Sequence, residues 1–220
     1  MEGPGSGDEH AVSNASFVLS LRSSGIRDTA LLRAMELVPR EQFAPRRFFD
    51  LARADMALPL PCGQTMTAPR AVAAMLVALG AATGQRILEV GTGSGYVTAL
   101  LRHLGAEVTS LERYNTLAES ASRHLGGLAG PGRATVEIGD GLADGRRGSF
   151  DRILLNGTLA AIPGHMTAML APGGRLVGAV PDGDRHRLVT IERSPDGGTT
   201  QTLAGPLRLT PLVRGVASVL

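Results

Sequence analysis

The run Glu89-Val90-Gly91-Thr92-Gly93-Ser94-Gly95-Tyr96 holds the residues whose types and spacing promise chemistry. Glycines at alternate positions let backbone N–H groups, and the N-terminus of a following helix, approach a ligand closely. The spacing G-x-G-x-G departs from the dinucleotide fingerprint G-x-G-x-x-G, because Tyr96 stands where the third glycine would be; this disfavours NAD. Glu89, just before the glycines, suits a cationic group such as an ammonium and would repel a pyrophosphate. Glu112 lies where a carboxylate could accept from both hydroxyls of a ribose. Asp140, in Gly139-Asp140-Gly141, is placed to accept from an adenine amino group. Singly, each acid is more often a helix cap or a solvated loop residue. Together with the glycine turn they describe a site for a nucleoside that carries an ammonium group, and S-adenosyl-L-methionine is such a ligand.

These residues need strand ends to hold them, and the pattern around them supplies strands. Arg86 to Val90, Glu107 to Leu111, Ala134 to Ile138, Arg152 to Leu155 and Arg175 to Val180 read as short apolar strands, buried on both faces. Helices are predicted over Tyr96 to His103 and Thr116 to Leu125, with another opened by Pro163 and stopped by Pro172-Gly173-Gly174. Leu188 to Arg193 and Thr200 to Leu209, joined through Asp196-Gly197, read as an antiparallel hairpin. Upstream, helical spacing appears around Phe17, Val18 and Leu21, then from Asp28 as an N-cap to Pro39, and again from Pro69 to Gly80. Phe43 to Cys62 should be irregular with one short helix. The expected architecture is α/β: a Rossmann-like, largely parallel sheet with helices on both faces, N-terminal helices and a C-terminal antiparallel hairpin.

A chain of 220 residues suits one such domain. Residues 1–10, rich in glycine and charge, are expected to be a disordered tail, leaving 11–220 as a single domain: an N-terminal helical and active-site part over 11–80 and the cofactor-binding sheet and hairpin over 85–220. All 22 cationic side chains are Arg, interspersed with 20 acids for a net charge of +2, and no basic run appears. With 3% aromatics and no Trp, a stacking platform for single-stranded nucleic acid is not expected. The single Cys62 suits a reducing compartment, and no apolar stretch is long enough to span a membrane. The expectation is a cytoplasmic protein with no nucleic-acid or membrane partner, monomer favoured. His103, His124, His165 and His186 share no motif and read as surface or structural residues, and no metal site is expected.

From about Asn14 to Pro211 the sequence resembles protein-L-isoaspartate O-methyltransferases. The likeness runs through Gly25-Ile26-Arg27-Asp28, Val38-Pro39-Arg40-Glu41-Gln42-Phe43, Leu58-Pro59-Leu60, Gly63-Gln64-Thr65-Met66-Thr67-Ala68-Pro69 and the glycine turn. The glycine turn alone marks a class I methyltransferase; the Gly-Gln-Thr segment is far more specific. The resemblance implies Thr65 and Thr67 as active-site residues, with Thr67 where the family usually has Ser. It implies Gln64, Thr65, Met66, Thr67, Glu89, Gly91, Thr92, Gly93, Gly95, Glu112, Arg113, Asp140 and Gly141 as cofactor contacts. The competing reading of both threonines is as N-caps of the helix at Pro69. Cys62 beside this segment could touch the pocket, although burial is the commoner fate of a free Cys.

The resemblance weakens at Leu155-Asn156-Gly157-Thr158-Leu159-Ala160-Ala161-Ile162-Pro163, where the family shows a Thr-Ala-Ala-Ala-Pro-like segment; Asn156, Gly157 and Thr158 are the candidate acceptor-side residues. Thr210-Pro211-Leu212-Val213-Arg214 is similar to the family's closing strand but has Val213 where Thr is common. The implied activity is methylation of the α-carboxylate of L-isoaspartyl residues in damaged proteins, after which the ester cyclises to a succinimide and reopens partly as normal aspartate. Two alternatives stand beside it: a dedicated carboxylate acceptor on a biosynthetic peptide or small molecule, and a cofactor-binding relative that has lost transfer.

Overall fold

The computed structural model describes residues 6–145 and 148–217. Helix α1 spans Ser6–Ser23, so it begins inside the stretch expected as a tail. Helix α2 spans Thr29–Leu37 and is capped as its sequence demands: Asp28 accepts from the Leu31 N–H at 2.9 Å, and Leu31, Leu32 and Met35 turn into the core. Short 3-10 turns follow at Arg40–Phe43, Arg46–Leu51 and Pro61–Gly63, in place of the one short helix expected there. Between and after them β1 (Leu58–Pro59) and β2 (Thr65–Met66) form a two-residue antiparallel pair. Helix α3, Pro69–Leu79, starts on proline and ends at Gly80, whose φ of 61° only glycine adopts at little cost.

The main sheet then alternates with helices: β3 (Arg86–Val90), α4 (Tyr96–His103), β4 (Glu107–Glu112), α5 (Asn115–Gly126), β5 (Arg133–Ile138), β6 (Phe150–Thr158), α6 (Gly164–Ala168), β7 (Leu170–Asp182), β8 (Arg185–Arg193) and β9 (Thr199–Pro206). Its strand order is β5-β4-β3-β6-β7-β8-β9, parallel as far as β7 and antiparallel for β8 and β9. The order reverses between β3 and β6. Ligands of open α/β sheets bind at such a switch point, beyond the carboxyl ends of the strands.

Alternate residues of the central strands feed two cores. Ile87, Leu154 and Val177 join α1 to α4 on one face, while Leu88, Ile153, Leu155 and Leu176 meet Met166 of α6 on the other. Each fully buried side chain of this size contributes roughly 1.5–3 kcal/mol. Helices cover both faces as the sequence suggests, the second face carrying the five-residue α6, with no helix between β5 and β6 among the described residues. The sequence reading differs in two places. β5 is an edge strand whose residues are at most half-buried, because no strand among the described residues pairs beyond it. Pro172-Gly173-Gly174 lies within β7 instead of ending α6, accommodated by a register shift against β6.

Candidate active site

The carboxyl ends of β3, β4, β5 and β6 open into a cleft of about 680 Å³, counting the solvent at its mouth. Its floor is the glycine turn. Gly91, Gly93 and Gly95 have φ of 92°, 56° and 87°, a left-handed path that residues with a Cβ resist. A Cβ on Gly91 would also stand 3.1 Å from Leu212 and 3.3 Å from the Asn156 carbonyl. Gly95 is the N-cap residue of α4, so the turn leads the helix N-terminus towards the cleft.

Glu112 ends β4 at the cleft wall. One carboxylate oxygen accepts from the Gly93 N–H at 2.8 Å and the other from the Tyr114 N–H at 3.0 Å, and the group is otherwise buried. Two accepted bonds leave about two lone-pair sites on the carboxylate for a ligand. Beside it, Arg113 and Tyr114 line the same wall, with the Arg113 guanidinium 5.0 Å from the centre of the Tyr114 ring. At the end of β5, Gly139, Gly141 and Leu142 line the cleft. Asp140 between them accepts from the Leu142 N–H at 2.9 Å and from the Gly215 N–H at 2.7 Å.

Glu89 is displaced from its expected place. It does not line the cleft; strand alternation puts it on the α4 side, completely buried behind the turn. One oxygen accepts from Thr98 at 2.5 Å and Ser110 at 2.7 Å, and Thr92 joins Ser110 at 2.6 Å. The other oxygen has no hydrogen-bond partner among the described residues. Burial pushes the Glu89 carboxyl up to about 7, against the opposing pull of the Thr98 and Ser110 hydrogen bonds. A meeting with a ligand's ammonium group is thereby corrected to support of the turn from behind.

The segment expected to carry the active site lies across the cleft from the turn. Gln64, Thr65 and Thr67 line it, while Met66 packs into the core. Thr67 also walls a smaller neighbouring cavity together with Thr92, Gly93 and Asn156. Neither threonine caps α3: the N-cap residue is Ala68, and the helix's first turn is held by Asp55, which accepts from the Arg70 N–H at 2.9 Å and pairs with the Arg70 guanidinium at 2.6 Å. Cys62, half-buried and at φ 61°, lines neither cavity; burial and then the Glu112 charge raise its thiol above the ordinary range.

On β6, Asn156 lines the cleft and donates from its side-chain amide to the Gly91 carbonyl at 3.0 Å. Gly157 and Thr158 lie one step back: the Thr158 N–H donates to the Thr210 carbonyl, and the Thr158 carbonyl accepts from the Leu212 N–H, both at 2.9 Å. Residues 210–217 run over the cleft from there, and the expected closing strand is reduced to a single bridge between Thr158 and Pro211. Thr210, Pro211, Leu212 and Val213 all line the cleft, although the sequence reading assigned none of them. His165 pairs with Asp144 at 2.7 Å and His124 sits against Phe43 and the Ser94 carbonyl, both away from the cleft lining.

Residues 12–217 match the family model described as protein-L-isoaspartate(D-aspartate) O-methyltransferase. The chain belongs to that family. Among its curated relatives, the protein-L-isoaspartate O-methyltransferase 2 of Rhodopseudomonas palustris strain HaA2 is 41% identical over 206 residues, covering 91% of this chain and 93% of the relative. The protein-L-isoaspartate O-methyltransferase of Xanthobacter autotrophicus is 42% identical, covering 93% of each. The fold is also that of a crystal structure of a protein-L-isoaspartate O-methyltransferase from Plasmodium falciparum in complex with S-adenosyl-L-homocysteine, with a TM-score of 0.78 at 19% identity, covering 91% of this chain and 98% of that one. In this member of the protein-L-isoaspartate O-methyltransferase family, Gln64, Thr65 and Thr67 of the Gly63 to Pro69 segment line the cleft, and Asn156 lines it from β6.

Proposed function

We propose that the cleft binds S-adenosyl-L-methionine and that the protein methylates the α-carboxylate of L-isoaspartyl residues in damaged proteins. The observation that carries this reading is the Gln64 to Thr67 segment facing the glycine turn across one cleft, with Glu112 between them. The donor set fits the cofactor: Glu112 keeps acceptor capacity for ribose hydroxyls, and the turn's positive-φ glycines leave no side chain between backbone and ligand.

In this reading Glu112 takes the ribose, Asp140 and Gly141 flank the adenine, and Arg113 and Tyr114 wall its edge. Gly91, Thr92, Gly93 and Gly95 form the bed for the amino-acid end, with Glu89 holding that bed from behind. Gln64, Thr65 and Thr67 cover the reacting centre, and Asn156 to Thr158 form the acceptor side. When bound, S-adenosyl-L-methionine supplies a sulfonium-borne methyl that passes to a carboxylate oxygen as the carbon–sulfur bond breaks and its electron pair returns to sulfur. The acceptor carboxylate is already ionised at neutral pH, so these residues need supply no base. Their work is to align oxygen with methyl and exclude water. The protein acts in the cytoplasm as a monomer on loose peptide segments.

The test is transfer of labelled methyl to one peptide made with L-isoaspartate and, separately, with normal aspartate at the same position. Base-labile label on the isoaspartyl form alone is expected. Cofactor binding with no label on several isoaspartyl peptides would replace this reading with a dedicated acceptor, read by the altered Asn156 to Ala161 loop.

A further inference from the structure

The structure assigns Arg40 as the positioning residue for Thr67, and through it for the reacting centre; the inference rests on the proposed role of Thr67. Arg40 is 1% exposed, lines neither cavity, and donates its hydrogen bonds to backbone carbonyls. Its guanidinium donates to the Thr67 carbonyl at 2.9 Å, to the Met56 carbonyl at 3.4 Å and to the Ala52 carbonyl. The carbon at the guanidinium centre stands 5.9 Å from the middle of the Tyr96 ring. Tyr96 is the first residue of α4, directly after the glycine turn, and its ring is buried. One side chain thus bridges the segment that carries Thr67 and the helix that carries the turn.

The bridge sits where the backbone offers little of its own. The β1–β2 ladder stops at Met66, and α3 begins at Pro69, which has no N–H. Thr67 falls between them, and the fork of Arg40 fixes its carbonyl and hence the direction of its side chain towards the cavity shared with Thr92, Gly93 and Asn156. A planar guanidinium can serve carbonyls from separate segments at fixed angles. A lysine ammonium at the end of a flexible stem keeps the charge and cannot reproduce that fork. Burying an arginine is costly unless its donors are used; Nη1 and Nη2 are used here while Nε has no hydrogen-bond partner among the described residues, so the contacts specify geometry more than stability.

The experiment compares Arg40→Lys in the wild type and in Thr67→Val, assayed on an isoaspartyl peptide. Arg40→Lys is expected to lower kcat about tenfold in the wild type and less than twofold when the Thr67 hydroxyl is already gone, because both changes remove one function. Peptide KM and S-adenosylhomocysteine affinity by calorimetry should stay within threefold, since Arg40 touches neither cavity. Backbone amides at residues 65–68 should exchange with solvent faster in Arg40→Lys while those of β3 and β6 stay protected. An equal loss of kcat in both backgrounds would show a general structural role and overturn the assignment. So would unchanged exchange at 65–68, which can be read even if no peptide is methylated and the functional reading itself has failed. Should Arg40→Lys not fold, Arg40→Gln, whose planar amide keeps two N–H donors, takes its place under the same criteria.

Discussion

The hydroxyls of Thr65 and Thr210, 145 residues apart in the chain, lie 2.9 Å from each other. They join the Gln64 to Thr67 segment to the C-terminal run that covers the cleft, and both residues line it. A neutral hydrogen bond of this kind contributes about 0.5–1.5 kcal/mol. Thr210→Val, which keeps shape and removes the hydroxyl, should weaken S-adenosylhomocysteine about two- to fivefold by calorimetry, and Thr210→Ser should restore it. Equal affinity in all three proteins would mean that the pair does nothing for the cleft.

The same run presses on β6 at Gly157. A Cβ there would stand 2.6 Å from Leu212 Cγ and 2.8 Å from the Thr210 carbonyl oxygen, and a backbone atom cannot step aside as a flexible side chain does. Gly157→Ala should therefore cost about 1–3 kcal/mol of stability, as overpacking does. It should also displace residues 210–212, which line the cleft, so the variant should lose part of its thermal stabilisation by S-adenosylhomocysteine. A melting curve and ligand shift matching the wild type would show that the run is loosely held.

Glu112→Gln is expected to weaken S-adenosylhomocysteine by roughly 1.5–3 kcal/mol, the range for loss of a charge-assisted hydrogen bond. The amide oxygen can still accept from Gly93 and keep the turn in shape, but the amide nitrogen cannot accept from the Tyr114 N–H, so the unliganded melting temperature should fall by the cost of that one lost hydrogen bond, with the protein still folded at the titration temperature. Titration calorimetry checks it: unchanged affinity would remove Glu112 from the ribose.

What was legible in the sequence was local. The Asp28 cap, the Pro69 start and Gly80 stop of α3, the glycine turn after β3 and the Asp196-Gly197 hairpin are each set by a few adjacent residues, and the structure has them. Glu89 was misplaced because proximity to the glycines outweighed strand alternation, which puts it on the face of the core residue Ile87; its partners Thr98 and Ser110 depend on packing and register that spacing does not reveal. Thr210 to Val213 and Arg40 escaped for a related reason. Their roles come from contacts across the fold, and a threonine near the C-terminus or an arginine after a proline carries no local signal of them.

The buried Glu89 carboxyl makes stability depend on pH. Its folded-state value of about 7 stands above the ordinary 4.5, so between those two values the folded protein holds a proton that the unfolded chain has released. The sign follows: the contribution of Glu89 is fully present below about pH 4.5 and is lost as pH rises through about 7. At 1.36 kcal/mol per pH unit the whole displacement amounts to ~3 kcal/mol. Glu89→Gln keeps an acceptor for Thr98 and Ser110 and cannot ionise, so it should flatten this component. Urea unfolding of both proteins at intervals from pH 4.5 to 7.5 isolates it, because every other titrating group is shared. The stability of the wild type relative to the variant should fall steadily across that window; parallel curves would mean that Glu89 stays ionised in its buried place, held by the two hydroxyls.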